Sequence, residues 1–367
     1  MKNFSGLFRY FDLYIFGSSI LLLFLGLLMI YSTTLESDSN LLLRQIIFVI
    51  GGFAGMIALA FYDYRNFKKI TPWLYLFVVL ALAIVWLVGP TIRGSARWID
   101  LGFFRFQPAE FAKLIMVVVT AKYLDQAREK IKAIRYVFLA LIYISIPVVL
   151  ILIEPDLGSA VVLLFTWFAM LMFSRINRKH LSALLAVFIL LSFFSWSYVL
   201  QDYQKQRLYT FLDPHQDPQG QGYNVLQSII AVGSGEIFGR GLGRGLQSQL
   251  KFLPERQTDF IFASTAEELG FLGSIFILSL YLLLFIRFLN IIIHSRDNFG
   301  MYLGIGILFM LLIQVVINIG MNIGLLPVTG IPLPLLSYGG SSLLTTFLAL
   351  GIIQSIVARQ KAVRFAG

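Results

Sequence analysis

The sequence predicts an all-α polytopic membrane protein, and three observations lead to this fold class. Hydrophobic residues make up 58% of the 367 residues and charged residues only 13%, about half the charged fraction of a soluble domain. Apolar stretches of about 20 residues recur along the chain, and each is long enough to cross about 30 Å of hydrocarbon. These stretches are continuously apolar, whereas the strands of a membrane barrel alternate apolar and polar residues. We therefore treat residues 1–367 as a single integral membrane domain.

About ten transmembrane helices are expected, at about residues 13–32, 43–61, 72–89, 108–124, 136–153, 157–173, 181–199, 263–287, 301–324 and 341–358. The fourth is the least apolar, because it carries Glu110 and Lys113. Connections rich in lysine and arginine alternate with connections that are poor in them. The positive-inside rule then places both termini in the cytoplasm. It also makes the long loop at about 201–262, between helices 7 and 8, extracytoplasmic.

The net charge of +10 is interpreted as this topological excess of basic residues, so no nucleic acid is expected as a partner. The chain has no cysteine and can form neither disulfides nor thiolate metal sites. The long outer loop nevertheless carries Arg207, Arg240 and Arg244. They indicate either a solvated surface or a site for an anionic ligand such as a lipid phosphate. Glycines at alternate positions around the last two would let backbone amides approach such a ligand.

Charged residues in the fourth predicted helix need a protein interior or a cavity around them. Pro108 suits the first turn of that helix, and Glu110 and Lys113 then lie at i and i+3 on one face, where they can pair. The pair is either a structural ion pair or the wall of a polar cavity that supports a site. In the next outer turn, Pro155 ends the fifth helix and Asp156 can cap the sixth.

Asp259 lies just before the eighth predicted helix. A carboxylate that is partly desolvated at the membrane boundary can have a raised pKa and act as a base. The alternatives are a helix N-cap or a marker of topology. Farther along, prolines and glycines interrupt the apolar pattern between Asn318 and Ser342. Irregular backbone at membrane depth is tolerated only inside protein or along a cavity, so this stretch is expected to re-enter the membrane and line a pocket.

At this point the sequence resembles the SEDS family, the shape, elongation, division and sporulation proteins. The stretch from Pro327 to Ser342 is similar to the family signature, and further motifs follow the family order along essentially the whole chain. These motifs are Arg97 to Gly102, Gln107 to Glu110, Glu154 to Gly158, Gln257 to Phe262 and Ala266 to Gly270. The similarity is greater to the elongation branch of the family than to its division branch.

The resemblance implies a peptidoglycan glycosyltransferase that polymerises lipid II at the outer face of the bacterial cytoplasmic membrane, for cell elongation and rod shape. It implies a class B penicillin-binding protein as the transpeptidase partner, together with membrane lipids and other elongation-machinery proteins. The eighth and ninth helices are expected as the docking surface, with Leu308 and Leu312 of the ninth exposed to the partner. No cofactor is assigned. A divalent cation, Mg²⁺ or Mn²⁺, is left open as a helper for the leaving pyrophosphate.

Carried over residue by residue, Asp259 matches the essential aspartate of the family, which makes it the expected catalytic base. Trp98 matches an important tryptophan, and Glu110 and Lys113 match a buried pair in a central cavity. The other residues expected to bind substrate are Arg97, Arg207, Arg240, Arg244, Glu255 and Ser337. The chain departs from the family at Gln257 and Arg256, where the family often has histidine and a small residue. Arg256 could lower the pKa of Asp259.

Two other functions compete with this one. A lipid II flippase would suit a polar cavity around Glu110 and Lys113, but a transporter centres its site near the membrane midplane, and Asp259 lies at the outer boundary. A non-catalytic scaffold for a transpeptidase would not need the Asp259 carboxylate at all.

Overall fold

The computed structural model describes residues 11–34, 40–88, 97–100, 102, 105–198, 202–214, 220–250 and 252–364. Most of this chain is helical. The helices are α1 (Leu13–Thr34), α2 (Asn40–Phe61), α3 (Phe67–Val88), α4 (Pro108–Ala127), α5 (Ile134–Ile153), α6 (Leu157–Met172), α7 (Arg178–Tyr198), α8 (Asp202–Leu212), α9 (Gln221–Ser234), α10 (Leu246–Gln249), α11 (Ile261–Ile293), α12 (Asn298–Asn322) and α13 (Gly340–Arg364), with short 3₁₀ helices at Tyr64–Asn66 and Arg128–Lys132.

Seven of the described helices are long and apolar enough to cross a membrane: α1, α2, α3, α5, α11, α12 and α13. Helices α4, α6 and α7 coincide with the other three predicted spans. Helix α6 is apolar but has only 16 residues. A multi-pass helical membrane protein is therefore confirmed, whereas the count of ten crossings and the side of each terminus stay predictions.

Helix α4 lies at the centre of the bundle, in contact with α3, α6 and α12. Pro108 occupies its first turn as expected. Its charged side chains therefore lie among other helices rather than in lipid, which is where membrane proteins place ionisable groups. The low apolarity of the fourth predicted helix is explained by this central position.

Helix α11 is broken at Gly270, whose φ of 70° and ψ of −165° are not helical. The sequence predicts one continuous helix here, so this break is a correction. The backbone groups freed by the break are bonded to the preceding outer loop. Phe271 N donates to Glu236 O at 2.8 Å and Leu272 N to Ile237 O at 3.2 Å, while Gly241 N donates to Glu268 O at 3.0 Å. A break near the membrane is tolerated because these bonds replace the lost helical ones.

The re-entrant loop (residues 323–339), between α12 and α13, has no regular helix or strand. It reaches the middle of the bundle, because a Cβ on Gly26 of α1 would lie 2.7 Å from Leu336 O. The Tyr281 hydroxyl of α11 donates to Pro334 O at 2.5 Å, and the Gln45 amide of α2 donates to Ser337 O at 3.3 Å. The segment is irregular as predicted and packs among the helices, whereas its re-entry into the membrane and its lining of a pocket stay predictions.

Two features of the connections differ from the expected all-helical bundle with one polar loop. Strands β1 (Ile99–Asp100) and β2 (Arg105–Phe106) form a small antiparallel hairpin, in which Ile99 pairs with Phe106. The predicted loop at about 201–262 contains α8, α9 and α10, and α9 packs against α11 and α12.

The glycines of α12 serve packing within the chain. A Cβ on Gly304 would lie 2.6 Å from Ile292 of α11, and one on Gly306 would lie 2.4 Å from Val117 of α4. Leu308, which we expected to face a partner, is buried. That expectation is wrong for Leu308, whereas Leu312 is half-buried and its contact with a partner stays a prediction. Side chains of α11 such as Ile275 and Leu282 are exposed.

Candidate active site

Asp259 is half-buried in a tight turn immediately before α11. Thr258 N and Phe260 N both donate to Glu255 O, at 3.1 and 3.2 Å, and Glu255 has a φ of 50°, which few side chains adopt. The N-cap of α11 is Phe260. The alternative that Asp259 is itself that cap is therefore wrong, and its carboxylate belongs to the turn rather than to the helix terminus.

Two segments, the re-entrant loop and α12, hold this turn. The Ser337 hydroxyl of the re-entrant loop donates to Thr258 O at 2.6 Å, and Tyr338 N donates to Gln257 O at 2.8 Å. Asn318 and Asn322 of α12 each donate a side-chain N–H to Asp259 O at 3.0 Å. Backbone carbonyls of three successive residues are thus bonded, so the turn is fixed against the inner part of the molecule.

The Asp259 carboxylate faces the re-entrant loop at Gly330. A Cβ on Gly330 would lie 3.5 Å from Asp259 Oδ2, and the residue has a φ of 74° that favours glycine. Gly330 is exposed. Gly330 therefore bounds an exposed gap through which a polar substrate could approach Asp259 Oδ2.

Arg256 is buried, and its guanidinium donates to Ser248 O and, at 2.8 Å, to Thr33 O at the end of α1. These bonds fasten the turn to α1 and to α10. Its influence on the pKa of Asp259 stays a prediction.

Ser337 was expected to bind substrate. Its hydroxyl donates to Thr258 O and accepts from Leu333 N at 2.8 Å, and only 4% of the residue is exposed. The observed role of Ser337 is to join the re-entrant loop to the turn of Asp259. A substrate contact by this residue stays a prediction.

The turn at Glu154–Asp156, between α5 and α6, lies on the other side of the re-entrant loop. Arg97 donates through Nε to Glu154 O at 3.4 Å and through Nη2 to Pro155 O. Asp156 caps α6 as predicted, since its Oδ1 accepts from Ser159 N at 3.1 Å. A Cβ on Gly158 would lie 2.8 Å from Thr329 O. The turn therefore supports both Arg97 and the part of the re-entrant loop that faces Asp259.

Glu154 is buried with 2% exposure, and neither oxygen of its carboxyl group has a hydrogen-bond partner among the described residues. Burial raises the pKa of the Glu154 carboxyl to about 8; the nearby Asp156 charge adds to the rise, and Arg97 opposes it. At neutral pH most of this group is therefore protonated and uncharged. The sequence places Glu154 in a family motif but does not predict a buried, protonated carboxyl group there.

Glu110 and Lys113 form the predicted pair, with Nζ at 2.7 Å from Oε1 and side-chain exposures of 1% for Lys113 and 4% for Glu110. The pairing is confirmed. Its contact with substrate stays a prediction.

The glycine-rich segment of the outer loop encloses two carboxylates of the protein itself. Glu267 accepts from Gln247 N at 2.8 Å and Ser248 N at 3.0 Å. Glu268 accepts from Gly243 N at 3.2 Å and from the Ser32 hydroxyl at 2.5 Å. The expectation that these backbone amides face a ligand is wrong for Gly243. Glycine suits this segment because a Cβ on Gly245 would lie 2.6 Å from Glu267 Oε2.

The remaining predicted residues differ in their exposure and their bonds. Arg240 and Arg244 are exposed, and Arg240 Nε donates to Ser234 O at 2.8 Å. Arg207 lies on α8 and Trp98 just before β1, both half-buried. Glu255 Oε2 accepts from the Thr258 hydroxyl at 3.2 Å. Contacts of these side chains with substrate stay predictions.

The described residues contain no group of three histidine, aspartate or glutamate side chains that could hold a metal ion together. We derive no step through a divalent cation.

Comparison with known proteins decides the family. The model of the FtsW, RodA and SpoVE family, described as cell cycle proteins, matches residues 12–362. The chain belongs to the FtsW/RodA/SpoVE family. This confirms the resemblance to the SEDS proteins. The peptidoglycan glycosyltransferase MrdB of Escherichia coli K12 is 37% identical over 348 residues, which cover 93% of each chain. The peptidoglycan glycosyltransferase RodA of Treponema pallidum is 34% identical, over 95% of this chain and 98% of its own.

Solved structures share the fold over 95% of this chain. Thermus thermophilus RodA superposes with a TM-score of 0.70 at 30% identity, over 95% of this chain and 97% of its own. A chain from a peptidoglycan synthase complex, described as coordinating polymerization and crosslinking, superposes with a TM-score of 0.81 at 32% identity, over 95% of this chain and 98% of its own.

Proposed function

We propose that this protein is a peptidoglycan glycosyltransferase that polymerises lipid II at the outer face of the bacterial cytoplasmic membrane. The observation that carries the proposal is the Asp259 carboxylate, held at the outer end of α11 beside exposed Gly330, in a family whose relatives are named for this activity. A carboxylate at the boundary of water and membrane can meet both the sugars and the lipid-linked pyrophosphate of such a substrate.

In the proposed reaction, Asp259 is the general base. A sugar hydroxyl of the acceptor forms a bond from its oxygen to the anomeric carbon of the donor, and its proton passes to the Asp259 carboxylate. The bond from the anomeric carbon to the pyrophosphate oxygen breaks, and undecaprenyl pyrophosphate leaves with the bonding electrons. Cations fixed near the departing charge would stabilise the transition state, which is usually a large catalytic effect.

Arg97 is the best placed of the predicted cations for this role. The carbonyls of Glu154 and Pro155 hold its guanidinium beside the loop that faces Asp259. Because Glu154 is mostly uncharged at neutral pH, it does not cancel the charge of Arg97. We assign Arg207, Arg240 and Arg244 to the wider outer surface that attracts the anionic substrate, and Trp98 to contact with the substrate beside Arg97.

We orient the chain in the membrane by the positive-inside rule, which gives ten crossings, both termini in the cytoplasm and residues 201–262 outside. Because the chain lacks cysteine, a single cysteine introduced at exposed Arg244 would report on which side of the membrane the long loop lies. It should react with a membrane-impermeant thiol reagent in intact cells, whereas a cysteine at exposed Arg135 should react only after lysis. The reverse pattern would overturn the orientation.

The partner that we propose is a class B penicillin-binding protein, which would cross-link the strands. A structural relative from a synthase complex that couples polymerization with crosslinking supports this. The exposed face of α11 is the proposed contact for its membrane helix. Elongation rather than division is the proposed setting, because relatives named MrdB and RodA stand among the most similar proteins.

The test is polymerisation by the purified protein, with and without the partner, scored as glycan strands from lipid II on a gel. Strands that depend on this protein support the proposal. Lipid II movement across vesicles without strands would favour a flippase, and activity only of the partner would favour a scaffold.

A further inference from the structure

Asn318 and Asn322 lie one turn apart on α12 and are both fully buried, with 0% exposure. Each donates a side-chain N–H to the same acceptor, Asp259 O, at 3.0 Å. Residues at i and i+4 project from one face of a helix, which explains how both amides reach one carbonyl. Two donors on one carbonyl fill both of its lone pairs.

The other atoms of these two amides bind the segments that flank the site. Asn318 Nδ2 also donates to Ile331 O at 2.8 Å. Asn322 Oδ1 accepts from Ala263 N at 2.9 Å, in the first turn of α11. The pair therefore joins the Asp259 turn, the start of α11 and the part of the re-entrant loop next to Gly330.

This arrangement controls both sides of the gap in which the Asp259 carboxylate lies. One amide sets the peptide that carries Asp259, and the same amide sets the carbonyl that follows Gly330, whose Cβ position is 3.5 Å from Asp259 Oδ2. Catalytic groups must be held within about 0.5 Å of their working position, and this needs supporting hydrogen bonds.

We propose that Asn318 and Asn322 are positioning residues for sugar transfer, which act by fixing the Asp259 carboxylate relative to Gly330. The proposal rests on the function of Asp259 as the base. Neither asparagine touches the substrate, because both are buried behind the turn. Their loss should therefore slow the chemical step and leave substrate binding largely intact.

The experiment compares purified Asn318→Leu and Asn318→Gln with wild type. Leucine has the same number and branching of side-chain heavy atoms as asparagine, although it is larger, and it removes the donors, whereas glutamine restores an amide with one added methylene group. We expect Asn318→Leu to lower kcat about 100-fold, the usual scale for a displacement of about 1 Å, with KM for lipid II changed less than about threefold. Asn318→Gln should recover part of the loss. Gln314→Leu, one turn earlier on α12 and also buried, is the matched control and should keep kcat within about threefold.

Each outcome decides the proposal. A wild-type kcat for Asn318→Leu would overturn it, as would a rise in KM at unchanged kcat. If Asn318→Leu does not fold, Asn322→Gln is tested in the same way. Failure of both variants to fold would assign the two asparagines to stability alone and overturn the proposal. This test is distinguishable from a test of the proposed function. Activity in Asp259→Asn would refute Asp259 as the general base, whereas normal activity in Asn318→Leu would refute only the positioning role of the asparagines.

Discussion

Gly239 and Gly270 face each other without room for a side chain on either residue: a Cβ on Gly270 would lie 2.2 Å from the Gly239 nitrogen, and a Cβ on Gly239 would lie 2.7 Å from the Gly270 nitrogen. The contact joins the outer loop to the break in α11. Because the loop also bonds the free backbone groups on both sides of the break, the two segments form one unit.

Gly270→Ala should therefore destabilise the protein strongly. A residue with a β-carbon at this φ of 70° destabilises the fold by about 1–3 kcal/mol, and the overlap of that carbon with Gly239 adds to the cost. We expect a lower yield and a lower melting temperature in detergent. Gly233→Ala is the control, because a Cβ there meets nothing within 4 Å and alanine favours the helix. Equal melting temperatures for the two variants would contradict the prediction.

The buried Glu110–Lys113 pair predicts that the loss of either partner alone is more harmful than an exchange of the two charges. Removal of one partner strands a buried charge, at a cost of about 3–5 kcal/mol, so Glu110→Ala or Lys113→Ala should reduce folded yield or turnover severely. The charge-swapped double variant should recover part of the loss. The exposed pair of Glu129 and Lys132 has the same spacing and serves as the control, since surface pairs contribute about 0–1 kcal/mol. Wild-type yield and turnover in both single variants would refute the role.

Asp259→Asn keeps the size of the side chain and removes its basicity. Loss of a general base usually lowers the rate about 10²–10⁴-fold, so glycan product should fall by this amount while expression and partner binding are retained. Glu255→Gln should be milder, because Glu255 lies one turn earlier and bonds to Thr258. Product from Asp259→Asn near the wild-type amount would remove Asp259 as the base.

Glu154 predicts a dependence of stability on pH. Its carboxyl pKa is about 8 in the folded protein and about 4.3 in an unfolded chain. Between these values the unfolded state releases the proton and the folded state keeps it. The free energy of unfolding therefore falls as pH rises from about 4 to 8, by on the order of a few kcal/mol, and is then constant.

Glu154→Gln should flatten this dependence and raise the melting temperature at pH 8 relative to wild type. Thermal unfolding in detergent at pH 5 and pH 8.5 measures both effects. Glu129→Gln, at an exposed carboxylate, is the control and should retain the slope. A slope in Glu154→Gln equal to that of wild type would show that Glu154 does not titrate in this range.

Local rules account for what the sequence predicted. The spans follow from continuous apolar runs, the cap at Asp156 from its position before a helix, and the pair of Glu110 and Lys113 from a spacing of three residues on one face. In each case the interacting groups are close in the sequence or share one helix.

Interactions between distant segments account for what was missed. The predicted span 263–287 runs straight through Gly270, and the bonds that replace the missing helical ones come from residues 236–241 of the long loop. Asn318 and Asn322 stand out as polar residues in an apolar helix, but no local rule identifies Asp259 O as their acceptor. Likewise, the glycine-rich loop has the composition of a ligand site, and only the fold shows that Glu267 and Glu268 occupy it.

The re-entrant loop forms the second side of the proposed reaction centre. Its inner end rests on Gly26, in the middle of α1, and on Tyr281 of α11, while Gly330 at its outer part faces Asp259 Oδ2. An apolar inhibitor that enters from the lipid and displaces Leu336 from Gly26 would therefore shift Gly330 without competing for the sugar. Such a compound would lower the maximal rate rather than the apparent affinity for substrate, and resistance to it would map to α1 instead of the outer surface.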